Sequence, residues 1–253
     1  MEFETYSMRI VMSAAVLACA IGISIAPVRA DEVRMSFSIA LPPYTLPEAA
    51  SGIEVDILRE ALAHKGHMLV PLFIPQKRAV YMFKKGDTDG AHRDWGQHLV
   101  KAGAYLGKDL VAYQDVMVSL KSRHFSLKSP ASLKGLSLVA FNGARKHYPE
   151  WTTPRTRFSY YQEINSKMYQ LKMLFRNKID VILLDVNIFR YLQHELKREG
   201  KTRIEETTVH QFTPPYAYRP AFKTVRIRDD YNAGIEHLRR TGRYQEIYSA
   251  YID

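Results

Sequence analysis

The 253-residue chain has one cysteine, Cys19, and it lies ahead of a small-residue cleavage pattern that ends at Ala30. A chain cut after Ala30 therefore contains none, which excludes a disulfide framework and a thiolate metal site. The nine histidines show no HExxH-like spacing, and there is no glycine-rich phosphate loop or nucleophile elbow. No metal, heme, nicotinamide or other cofactor is expected, and no catalytic residue set. With 46% hydrophobic and 25% charged residues, the sequence is ordinary globular material rather than disordered, enough for one large domain or two lobes of roughly 100 residues each.

The first 30 residues stand apart. Arg9 precedes an uncharged run from Ile10 to Pro27, and Val28-Arg29-Ala30 closes it, which reads as an export signal cleaved after Ala30. Glu2 and Glu4 fit poorly in the basic end of a signal, so translation starting at Met8 is expected rather than at Met1. A retained membrane anchor is the alternative, but the run is marginal against the roughly 18 residues that a span needs and contains Ser13, Ser24 and Pro27. Lipoprotein processing at Cys19 is a third reading, against which Leu17 sits where such signals prefer a small residue. An exported, cysteine-free, soluble chain points to a bacterial periplasm. The charges of the signal cancel, so the mature chain keeps the formal +10. Its basic residues are interleaved with acids, as in LKREGKTRIEE at 196–206, without a nucleic-acid-binding motif. A solvated surface is favoured over nucleic acid as a partner.

Past residue 30 strands alternate with amphipathic helices. VRMSFSIAL (33–41) alternates like a strand, 53–64 has helical spacing, MLVPLFI (68–74) reads as a buried strand, and 77–85 as a helix closed by Gly86. This is an α/β pattern. An internal echo links Phe83, Gly86 and Asp89 with Leu174, Asn177 and Asp180. Asn stands for Gly there because both tolerate positive φ, and two similar lobes are implied.

Several segments occur in a telling order: Pro43-Tyr44, GIEVD (52–56), KGDTD (85–89), LKSPASLKGLSLVAFNGA (127–144), KIDVILLD (178–185) and the tail NAGIEHLRRTGRYQEIYSAY (232–251). From about residue 35 to the end the chain resembles the bacterial extracellular solute-binding proteins of family 3, related to the periplasmic amino-acid receptors of ABC transporters. The resemblance implies a two-lobe periplasmic-binding-protein fold (type II) with a ligand cleft. Lobe one would comprise 31–117 and 214–253 and lobe two 118–213, with crossings near Met117 to Lys121 and near Pro214 to Tyr218.

It also implies a candidate site. Tyr44, held on a Pro-Pro turn, would line the cleft, unless its ring simply packs against the lobe. Asn142 and Gly143 would present backbone N–H groups to an anion, although Ala144 replaces the usual hydroxyl residue. Asp185 matches the acid that meets a ligand's ammonium group, with helix N-capping as the competing reading. The family's carboxylate-gripping arginine has no clear counterpart between Asp89 and Tyr113. Instead His92, Arg93 and Trp95 follow one strand-length after a helix end, where Arg93 would grip an anion and Trp95 offer an apolar face; the alternative is a polar surface strand over 92–97. Arg78 is a further pocket candidate, with surface exposure as its alternative. Glu54 and Asp56 read as acids that complement a helix start.

The resulting expectation is a monomeric, non-enzymatic binding protein that captures a small polar solute, amino-acid-like or related, for an ABC transporter permease. A binding protein serving a membrane sensor or another periplasmic complex needs the same cleft. A dehydratase-like enzyme on this fold, with Glu163 or Asp185 as acid or base, is the minority reading.

Overall fold

The computed structural model describes residues 31–153 and 157–252, leaving the Trp95 side chain aside. The export signal and its alternatives thus lie outside the described residues. No helix among the described residues is long and apolar enough to cross a membrane.

The chain opens with β1 (Glu32–Phe37), α1 (Ile53–Ala63), β2 (Met68–Phe73), α2 (Gln76–Lys85), β3 (Gly90–Ala91) and β4 (Tyr105–Leu106). Then come β5 (Val111–Tyr113), β6 (Asp115–Leu120), β7 (Ser137–Phe141), α3 (Ala144–His147), α4 (Pro149–Thr152), β8 (Tyr160–Ile164) and α5 (Lys167–Phe175). It closes with β9 (Val181–Asp185), α6 (Val186–Glu199), β10 (Thr207–Gln211), β11 (Tyr216–Tyr218), β12 (Ala221–Phe222), α7 (Val225–Thr241) and α8 (Arg243–Ile252).

These strands form two five-stranded sheets, ordered β2-β1-β3-β12-β4 and β10-β6-β9-β7-β8, joined by the antiparallel pair β5 and β11. The pairing of β11 (216–218) with β5 (111–113) links the two sheets. Residues 117–120, expected as the first crossing, lie in β6 inside the second sheet, with Lys121 just past it. The reason is that VMVSL is apolar on both faces, as a central strand must be, and each of its residues is buried.

The internal echo has a structural basis. Gly86 and Asn177 both adopt positive φ, 85° and 54°, to close α2 and the turn after α5. Each is followed by an acid that receives a backbone N–H from a strand of its own sheet: Arg34 N–H of β1 donates to Asp89 at 2.9 Å, and Ser137 N–H of β7 to Asp180 at 2.9 Å. The strand read as 33–41 ends instead at Phe37, because Leu41 pairs locally with Thr45 across the Pro42-Pro43 turn.

One apolar core runs through both sheets, from Met35, Leu58 and Tyr231 through Leu110 and Tyr113 to Leu174, Leu184 and Leu196. Helix α8, from the end of the chain, packs against α6 of the second sheet. The contact between α1 and α7 depends on Gly234, where a Cβ would lie 1.9 Å from the Ala61 carbonyl oxygen, a separation that only the absence of a side chain permits.

Candidate functional site

The Pro42-Pro43-Tyr44 turn is built to start α1. The Pro43 and Tyr44 carbonyls accept the N–H groups of Ile53 and Glu54 at 3.0 and 3.1 Å, which satisfies donors that a helix leaves without internal partners. Gly52 makes that approach: its φ is 120°, and a Cβ would sit 2.4 Å from the Tyr44 carbonyl oxygen. The Tyr44 ring points inward and is fully buried. It stacks on Tyr113 of β5 with centroids 4.1 Å apart, donates its hydroxyl to Asp185 at 2.9 Å and accepts from Asn187 Nδ2 at 3.0 Å. Tyr44 therefore ties the first sheet's turn to the second sheet's β9–α6 junction and does not line the cavity, because both its face and its hydroxyl are occupied by protein.

Asp185 is correspondingly committed. Its Oδ1 accepts from the Asn187 and Ile188 N–H groups at 3.0 Å each, the geometry of an α6 N-cap, and Oδ2 accepts from Gln114 N–H at 2.9 Å. Burial pushes its carboxyl up to about 6, against these donors. The helix start at 143 is also filled from within. Glu163 of β8 accepts the Gly143 and Arg145 N–H groups at 2.8 Å each, together with the Tyr161 hydroxyl at 2.8 Å. The N–H of Gly143 thus serves an internal carboxylate, and Glu163 acts there as an acceptor.

A cavity of about 240 Å³ lies at the crossing strands. From the first sheet it is walled by Leu41 and Arg93. From the crossings come Tyr113, Tyr216 and Tyr218, and from the second sheet Asp115, Phe141, Asn142, His147, Lys167, Leu184, Asp185 and Ile188. Of the eight residues expected from sequence, Arg93, Asn142 and Asp185 reach this cavity, while Tyr44, His92 and Gly143 stand behind it. Arg78 is exposed in the first turn of α2, on the outward face of a helix whose buried residue is Phe83. Trp95 falls on a side chain outside the described set. Residues 92 and 93 are not a surface strand, since β3 ends at Ala91 and both side chains are buried, at 4% and 8% exposure.

Arg93 sits in a buried network. Its Nη1 donates to the Tyr113 hydroxyl at 3.2 Å and its Nη2 to Ser38 Oγ at 2.8 Å. Tyr113 in turn donates to Glu54 at 2.9 Å, and His92 Nδ1 lies 2.6 Å from the other Glu54 oxygen. Burial alone would raise the Glu54 carboxyl, but His92, Arg93 and Tyr113 outweigh it and hold Glu54 below its ordinary value. Burial keeps His92 below its own, against the pull of Glu54. Glu54 is therefore not a helix-dipole acid on the surface but the fully buried acceptor at the centre of the first sheet's polar core.

Asp115 and Lys167 escaped the sequence reading. Asp115 is directly opposite Asp185 in the antiparallel β6–β9 pair. The Tyr148 and Tyr216 hydroxyls both donate to its Oδ2, at 2.7 and 3.2 Å, and no donor among the described residues meets Oδ1. Burial raises its carboxyl and lowers the Lys167 ammonium, with each group opposing the other's shift. An acid at the first position of an apolar strand, five residues before the end of that strand, was the available signal.

No protein-family model matches the sequence, and no similar sequence is found among curated proteins. Solved structures match over most of the chain. Substrate-binding domain 2 of GlnP from Lactococcus lactis, in an open conformation, is 19% identical, covering 88% of this chain and 95% of that one, with a TM-score of 0.63. An ancestral cationic amino acid solute-binding protein is 12% identical over 88% and 96%, with a TM-score of 0.67. A substrate-binding protein of an ABC uptake transporter from Streptococcus pneumoniae, with bound histidine, is 16% identical over 87% and 92%, with a TM-score of 0.61. The chain has the α/β two-lobe fold of the type II periplasmic binding proteins, and the resemblance read from its motifs holds at the level of the fold.

Proposed function

We propose that this chain is a solute-binding protein whose lobes, divided at β5 and β11, close on a small polar solute and present it to an ABC-type transporter in the bacterial periplasm. The observation that carries this reading is the cavity at the crossing strands, with a cation, Arg93, on one lobe and a carboxylate and an ammonium, Asp115 and Lys167, on the other. A solute bearing both charges bridges the lobes, so affinity for the closed state draws them together. The structural neighbours named for cationic amino acids or for bound histidine support an amino-acid-like solute. The anchors are different, however: the Gly143 N–H and Asp185 are taken up internally, and binding falls to Arg93, Asp115 and Lys167, with Phe141, Tyr216 and Tyr218 as the apolar frame and Asn142 at the rim.

Thermal unfolding of the protein against a library of amino acids, polyamines, organic acids and small peptides tests this. A ligand at a hundredfold excess over its dissociation constant adds about 2.7 kcal/mol and raises the midpoint. Hits within one chemical class that vanish in Arg93→Ala support the reading. A library without effect, or hits indifferent to Arg93, counts against it.

A further inference from the structure

A second arrangement lies next to the cavity and shares Arg93 with it. Ser38 is the first residue past β1, half-buried, and the exposed Ile39 and Ala40 follow it. Its Oγ is 3.3 Å from His92 Nε2, and His92 Nδ1 is 2.6 Å from Glu54 Oε2. An ionised carboxylate only accepts, so Nδ1 carries the imidazole proton and Nε2 presents its lone pair to the Ser38 hydroxyl. Tyr113 holds the other Glu54 oxygen, and the Phe37 ring flanks the imidazole at 5.2 Å. Hydroxyl, base and orienting carboxylate thus stand in the order that activates a serine, a constellation recognised by geometry and not by chain order.

We propose that Ser38 is a nucleophile, with His92 as its general base and Glu54 as the positioning residue, and that it accepts the acyl group of small carboxylic esters. Ser38 Oγ bonds to the carbonyl carbon while its proton passes to His92 Nε2. Arg93, already 2.8 Å from Oγ, is the cation nearest the negative charge that develops on the carbonyl oxygen. The bond from the carbonyl carbon to the leaving oxygen then breaks, and that oxygen takes the proton from His92. Water attacking acyl-Ser38 by the same route releases the carboxylic acid. The crevice lined by Phe37, Ser38, Ile74, His92 and Arg93 measures about 20 Å³, little more than one water requires, which restricts the acyl group to the smallest, such as acetyl.

The inference shares only Arg93 with solute binding and is tested separately, on Ser38, His92 and Glu54. The full protein is incubated with p-nitrophenyl acetate and, in parallel, p-nitrophenyl hexanoate, following phenolate release and locating any acyl group by peptide mass mapping. The expected result is a burst of one phenolate per chain, acetyl on Ser38, and far slower reaction with hexanoate. Ser38→Ala abolishes the burst with the thermal midpoint retained, and His92→Asn slows it by about a hundredfold or more. Glu54→Gln, which keeps the shape of the site, serves if His92→Asn does not fold, and is expected to slow the burst about tenfold. Acetylation of lysines alone, no acetyl on Ser38, or labelling of Ser38 at an undiminished rate in both His92→Asn and Glu54→Gln overturns the proposal.

Discussion

The two walls of the cavity treat their charged groups in opposite ways. On the first lobe the charged side chain that faces the cavity among the described residues is Arg93, backed by Glu54, His92, Tyr113 and Ser38. On the second lobe two acids stand side by side across a strand pair with different duties: Asp185 caps α6 and receives Tyr44, while Asp115 keeps one oxygen clear of donors among the described residues. Charge alone therefore does not make a residue a ligand anchor. The donors already around it decide, because a carboxylate satisfied by the backbone gains little from a further partner.

The largest expected effect breaks the first wall. Glu54→Ala removes the acceptor shared by His92 and Tyr113 and leaves buried partners unpaired, for a loss of about 3–5 kcal/mol in urea unfolding. A loss below about 1 kcal/mol would mean that the network does not support Arg93. Next is the pH dependence of Asp185. Its carboxyl lies higher in the folded chain, at about 6, than the ordinary value near 3.9, so its stabilising effect is complete below that ordinary value. This effect is lost as pH rises through 6, by at most about 3 kcal/mol. Stability curves at pH 4 and pH 7 for wild type and Asp185→Asn should differ by this slope, and identical slopes would remove Asp185 as its source.

Tyr44→Phe deletes the hydroxyl that joins the turn to Asp185 and Asn187, at about 1–3 kcal/mol for donors and acceptors left buried without partners; calorimetry showing no change would separate the two lobes' networks. The smallest effect sharpens the contrast between the acids. Asp115→Asn should weaken a cationic or zwitterionic ligand tenfold or more, about 1.4 kcal/mol by titration calorimetry, and Asp185→Asn should alter affinity much less. The reverse ranking would return the ammonium contact to Asp185.

Much of the fold was legible because it rests on local patterns. Apolar runs such as VILLD and MLVPLF, helix periodicity, and Gly86 and Asn177 at helix ends depend on residues near in sequence, and each was placed to within a residue or two. The first crossing was misplaced because β6 and the crossing strand β5 are separated only by Gln114 and share an apolar character. Arg93, expected from its spacing after α2, lines the cavity, but its supporting network was not legible, since Glu54 is 38 residues from His92 and 59 from Tyr113. Asp115 and Lys167 carried too little local signal to stand out.

The sequence by itself determined the class of fold, the alternation of strand and helix, the turn that begins α1 and the presence of a cation near the end of β3, because propensity, periodicity and backbone tolerance are local properties. Only the tertiary structure decided which polar groups remain available. Glu163 reaches the helix start at Gly143, and Tyr44 reaches Asp185 across 141 residues; such long-range hydrogen bonds satisfy a group or leave it open, and nothing in the neighbouring residues records which.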